Sequence, residues 1–86
     1  MGERIRLSEA KKGCKYRIVH IMPEINNYDR IREMGFAEGS EIIPLYRSIS
    51  GEPTAYFIWD TVIGLRREES EKIFILPQYS LSEEGS

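Results

Sequence analysis

The segment Glu33-Met34-Gly35-Phe36-Ala37-Glu38-Gly39-Ser40 constrains this chain more than any other. Tyr28, Ile31 and Met34 recur at every third position and stop at Gly35. That spacing marks Gly35 as the residue just beyond a helix C-terminus, in the left-handed conformation that glycine adopts cheaply. Phe36 is then expected to turn inward. Gly39 lies three residues further on, and Glu41-Ile42-Ile43-Pro44-Leu45-Tyr46 switches the period from three to two. A short amphipathic helix therefore gives way to sheet almost at once. No nucleophile, metal-ligand cluster or phosphate loop accompanies the turn, so the residues by themselves support a small binding module rather than an enzyme.

An 86-residue chain holds one domain. It buries only about 60 per cent of the surface it exposes when unfolded, which leaves little room for a large ligand cavity. The formal net charge of −2 argues against a general nucleic-acid binder, since neutralising phosphates takes a basic surplus. Lys11, Lys12, Lys15 and Arg17 cluster near the start and read as a solvated face. A single cysteine forms no internal disulfide, and no apolar run approaches the ~18 residues of a membrane span. A cytoplasmic protein that meets a membrane only through a partner is the expectation.

Along the chain, Leu7 to Gly13 reads as one helical turn with Ser8 as N-cap. Strands are expected over residues 15–21, 41–47, 54–59, 62–65 and 72–76, with a short helix over residues 28–34 capped by Asn26 or Asn27. In the first strand Tyr16 and Ile18 share one face while Val19 and Ile21 share the other, a switch that implies a bulge. Asp60-Thr61 reads as a tight hairpin turn, and 66–70 as one turn of helix. Residues 48–53 form a polar loop. The domain is drawn over residues 1–77, followed by a polar acidic tail at 78–86 with no reason to order. Five short strands in so small a chain favour a partly open barrel, because closure removes unpaired edges.

These residues resemble the FeoA family. The resemblance rests on Leu7 with Gly13, Ile18 with Ile21, the run Arg30 to Gly39, Gly51-Glu52-Pro53, Ile63-Gly64-Leu65-Arg66, and Ile73 with Ile75, in that order along the chain. Glu38, Asp60 and Gly64 stand where the family commonly has proline, glycine and alanine; these departures touch turn rigidity rather than core contacts. The resemblance implies a mainly β, SH3-like five-stranded barrel with one short α-helix between its first two strands. It also implies a non-catalytic accessory of bacterial ferrous-iron transport that docks on the cytosolic part of the transporter FeoB and modulates Fe(II) uptake. The same barrel is similar to the C-terminal domain of iron-dependent repressors, so a metal-responsive regulatory module stands as the alternative. An RNA-binding barrel is the weakest reading, given the charge.

Cys14 and His20 would lie ~20 Å apart on an unbroken strand and form neither a chelate nor a nucleophilic pair. No metal, cofactor or catalytic residue is expected. Gly35 to Ser40 lacks the lysine of a phosphate loop and runs helix to strand, the reverse of what that loop needs. Glu68 with Glu69, and Glu83 with Glu84, read as solvated carboxylates. The stronger signal is the surplus of large apolar residues in the later strands. With Thr54, Tyr56, Ile58, Ile73 and Ile75 inward, as the family pattern implies, Phe57, Trp59, Phe74 and Leu76 face out. These four form the expected partner-binding patch, with Arg30 and Arg32 on the polar side of the helix steering toward an acidic partner. Coverage by the helix, by the tail or by a second copy of the chain is the competing explanation.

Overall fold

The structure, a computed structural model, describes residues 3–47 and 51–78; part of the polar loop and residues 79–86 of the expected tail lie outside it. Helix α1 (Tyr28–Glu33) ends as its sequence implies. Gly35 has φ 108° and donates its N–H to Arg32 O at 3.0 Å, while Phe36 N–H reaches back to Ile31 O at 3.3 Å. These are the two bonds of a Schellman closure, and its hydrophobic contact joins Phe36 to Ile31, both fully buried. Gly39 (φ 96°) then donates to Ile18 O at 2.7 Å and Ile18 N–H donates to Ser40 O at 2.9 Å. The helix-ending turn is thereby stitched to the sheet rather than only followed by it.

The strands are β1 (Ile5–Arg6), β2 (Tyr16–Ile21), β3 (Glu41–Arg47), β4 (Thr54–Ile58), β5 (Thr61–Leu65) and β6 (Ile73–Pro77). They form one antiparallel sheet in the order β1-β6-β2-β3-β4-β5. All five expected strands are present, and the two-residue β1 adds a sixth beside β6. The ends of the order, β1 and β5, are not paired with one another, so the SH3-like barrel is partly open. In β2 the register against β6 shifts between Ile18 and His20, and this bulge turns Ile18 and Ile21 into the same core although they are three residues apart. A second shift, between Pro44 and Tyr46, bends β3 against β4. Ile18, Ile31, Phe36, Ile42, Ile58, Ile73 and Ile75 fill the interior.

Several local expectations change. Residues Leu7–Glu9 form a 3-10 turn whose N-cap position is Arg6, so Ser8 caps nothing. Asn27 occupies the N-cap of α1 in a left-handed conformation with no side-chain cap bond, and Asn26 donates instead to Glu68 Oε2 at 3.1 Å. Glu69 is not solvated: it is 8% exposed, and its Oε1 accepts the Arg66 N–H at 2.9 Å, closing the start of α2 (Arg67–Ser70). Gln78, assigned to the tail, donates its N–H to Lys15 O at 3.0 Å and extends the bonded structure past Pro77.

Burial raises the Tyr56 phenol above its ordinary 10.0, opposed in smaller measure by hydrogen bonding with Ser70 and Thr54 and by the Arg47 charge. An acid held neutral by the fold leaves stability intact below the unfolded value. Stability falls as pH rises past that value, because the unfolded phenol then ionises while the folded one does not. Tyr56→Phe is expected to flatten that alkaline decline by up to about 1.4 kcal/mol per pH unit, read from urea midpoints between about pH 9 and 11. An unchanged slope would mean that Tyr56 ionises freely.

Candidate interaction surface

The tip of the β4–β5 hairpin is the most unusual place in the chain. Ile58 pairs with Thr61, so the two-residue loop is Trp59-Asp60, one position earlier than the spacing implied. Both loop residues are left-handed, with φ 52° and 62°, the geometry of a type I′ turn. A bulky side chain is disfavoured there, and something must hold Trp59 in place. Its Nε1–H donates to Gly35 O at 2.7 Å. The indole abuts the glycine, where an added Cβ would overlap Cδ1 and fall 2.9 Å from Nε1. Gly35 therefore ends α1 and seats the indole with one and the same missing side chain.

Trp59 is nevertheless 68% exposed. Beside it Phe57 (37% exposed) pairs across with Ile43 on one flank and with Val62 (52% exposed) on the other. Trp59, Phe57 and Ile43 line a surface groove of about 420 Å³ whose polar wall is Arg17, Glu41, Asp60 and Gln78. Arg17 is occupied within it, Nη1 donating to Gly39 O at 3.0 Å. Gln78 Nε2 donates to Glu41 Oε2 at 3.3 Å, and Gln78 Oε1 is a buried acceptor without a partner among the described residues.

The six residues expected to bind a partner fall into two groups. Phe57 and Trp59 belong to the groove. Trp59 also abuts the end of α1, whose exposed face carries Arg30 and Arg32. Arg32 lies 3.4 Å from both the Tyr28 hydroxyl and Glu38 Oε1, so part of its charge is already engaged. The Tyr28 interaction is the main influence raising the guanidinium's pKa further. Glu38 in turn is held below the usual carboxylate range, chiefly by its own backbone N–H. Phe74 and Leu76 are half-buried on β6, with β2 and β3 between them and β4. Leu76 pairs with Arg17, but Phe74 sits under Arg4 and Arg6, with His20 stacked beside it at 6.2 Å. Val62, Ile43 and the exposed Tyr46 were not singled out by the sequence. Val62 would have been, had the hairpin loop been set on Trp59-Asp60.

Cys14 is exposed in the turn before β2, its N–H on Lys11 O, and His20 lies toward the other end of the strand. Among the described residues no three His, Cys, Asp or Glu side chains converge as metal ligands would. No helix among them is long and apolar enough to cross a membrane.

The backbone resembles that of a FeoA-like protein from Clostridium acetobutylicum, with a TM-score of 0.81, 26% identity and 93% of each chain covered. Iron(II) transport protein A from Clostridium thermocellum is similar at a TM-score of 0.79 and 26% identity, over 85% of this chain and 45% of that one. FeoA of Stenotrophomonas maltophilia, solved with zinc and described as a prokaryotic SH3-domain protein, shares the fold at a TM-score of 0.72 and 24% identity, over 83% and 88% of the two chains. A manganese-dependent transcriptional repressor shares it too, at a TM-score of 0.78 and 14% identity, over 91% of this chain and 44% of the other. No curated protein sequence matches. The family model of the FeoA domain spans residues 5–77, from the first strand to the last, and this chain belongs to the FeoA family.

Proposed function

We propose that the protein is a non-catalytic cytoplasmic accessory of ferrous-iron transport that docks on the cytosolic part of FeoB through the groove between β2 and the β4–β5 hairpin. Membership of the family ties the chain to ferrous-iron transport, and the observation that supports this docking face is the seating of Trp59. An aromatic side chain held rigid by a backbone carbonyl, yet largely exposed, loses little conformational freedom on binding. Phe57 and Val62 extend the apolar surface around it, and Asp60 and Glu41 give it a polar rim. Arg30, exposed on α1, forms no ion pair among the described residues. The likeness to the manganese-dependent repressor is one of fold alone and does not favour a metal-responsive reading.

An amide-shift titration with the cytosolic GTPase domain of the cognate FeoB, with and without guanine nucleotide, tests the docking. Saturable shifts are expected at residues 35, 43, 57, 59 and 62. Val62→Ser and Trp59→Ser are expected to weaken binding by about 1 and about 2 kcal/mol respectively, and Tyr46→Ser to leave it unchanged. Shifts centred on Tyr46, or equal losses in all three variants, would move the docking face elsewhere.

A further inference from the structure

The outer face of β1 and β6 carries charge that the rest of the fold does not answer. Arg4, just before β1, and Arg6 within it lie two residues apart, and both guanidiniums rest on the Phe74 ring, their Cζ atoms 4.6 and 5.7 Å from its centroid. His20, paired with Phe74 in the sheet, stacks on the same ring with 29° between planes. The ion pairs among the described residues, Lys15 with Glu41 and Arg32 with Glu38, lie elsewhere, so neither Arg4 nor Arg6 meets a carboxylate of the described residues. Two like charges share one aromatic ring in a protein of net charge −2.

We propose that this face, Arg4 and Arg6 over Phe74 with His20 beside them, docks an extended acidic segment of a protein partner whose carboxylates stand two residues apart. Three features select that chemistry. A guanidinium stacked on a ring keeps its N–H edge free for two-point contact with a carboxylate. Alternate residues of an extended chain are about 6.7 Å apart on one face, so carboxylates at i and i+2 meet arginines at i and i+2 in register. Finally, both guanidiniums lean from β1 over β6, so an extended segment lying across the outer face of these two strands would carry those carboxylates past the arginines. A long polyanion such as RNA meets the opposing net charge of the whole chain. This surface shares no residue with the lining of the Trp59 groove, which reaches β2 at Arg17 rather than at His20, and it does not depend on the transporter docking there.

The test is an amide and side-chain shift titration of the full chain with a synthetic peptide of alternating Glu and Thr, against the same peptide with Gln for Glu. Saturable shifts are expected at Arg4, Arg6, His20 and Phe74 with the Glu peptide alone. Affinity is expected to fall about fivefold as salt rises from about 0.05 to about 0.3 M. Arg4→Gln with Arg6→Gln is expected to lower it at least about tenfold while the remaining amide spectrum stays put. Three results would overturn the proposal. One is equal affinity in the double variant. Another is the same shifts with inorganic phosphate at matched charge, which marks a general anion site. The third is binding that appears only after Glu83→Gln with Glu84→Gln, which assigns the face to the chain's own acidic tail.

Discussion

Replacing Phe36 with alanine is expected to lower the free energy of unfolding by about 3–5 kcal/mol. The ring is wholly buried and lies in the main core with Ile31, Ile18 and Ile42. It is also the residue through which the end of α1 is pressed onto the sheet, because its N–H closes the Schellman turn on Ile31 O. Truncation removes the transfer free energy of the ring and leaves a cavity that the surrounding strands, fixed by their hydrogen bonds, refill only in part. For a domain of this length the total is about 4–13 kcal/mol at ordinary stability per residue, so the variant should sit close to its unfolding threshold. Urea unfolding followed by amide spectra measures the loss. Phe36→Leu, which keeps most of the volume, is expected to cost less than about 1.5 kcal/mol. If alanine cost no more than leucine, Phe36 would not hold the helix to the core.

What the sequence made legible, and what it concealed, divides by the range of the forces involved. The helix-to-strand turn could be read because Gly35 and Gly39 answer to local backbone constraint, and the bulge in β2 because Ile18 and Ile21 show the face switch within four residues. The phase of the inward and outward alternation in β4 and β6 came from the family resemblance, and it put Phe57 and Phe74 on the outer face, where Phe57 is exposed and Phe74 half-buried. Trp59 was placed on a strand because the hairpin turn was set on Asp60-Thr61, one residue late, and a bulky tryptophan does not itself signal left-handed backbone. The bond that holds it there comes from Gly35, twenty-four residues away. The same applies to Phe74, which reads as a bare aromatic until Arg4 and Arg6 are brought over it by the pairing of β1 with β6. A two-residue strand carries no periodicity, so β1 and the face it builds were invisible beforehand. Glu69 looked solvated because its cap on Arg66 N–H depends on how α2 meets the strand before it.

The separation of local from distant constraint can be measured at Gly35. Gly35→Ala is expected to destabilise the fold by about 2–4 kcal/mol, the sum of about 1–2 for a Cβ in left-handed backbone and about 1 or more for the indole it displaces. Gly39→Ala supplies the comparison. Its φ of 96° is as unfavourable for alanine as the 108° of Gly35, but apart from its own chain neighbours nothing lies within 4 Å of the added Cβ. It should therefore cost the backbone part alone. The difference between the two variants reports the contact between Gly35 and Trp59, and a cycle with Trp59→Ala isolates it. In the Trp59→Ala background the two glycine substitutions should become nearly equal, with a coupling of about 1 kcal/mol or more. Because Trp59 is the single tryptophan of the chain, its fluorescence reads the same event directly. Release of the indole in Gly35→Ala should shift its emission toward that of a fully solvated side chain before any unfolding. Equal losses at Gly35 and Gly39 in the wild-type background would detach Trp59 from the helix end. The rigid anchor on which the docking groove depends would then be lost.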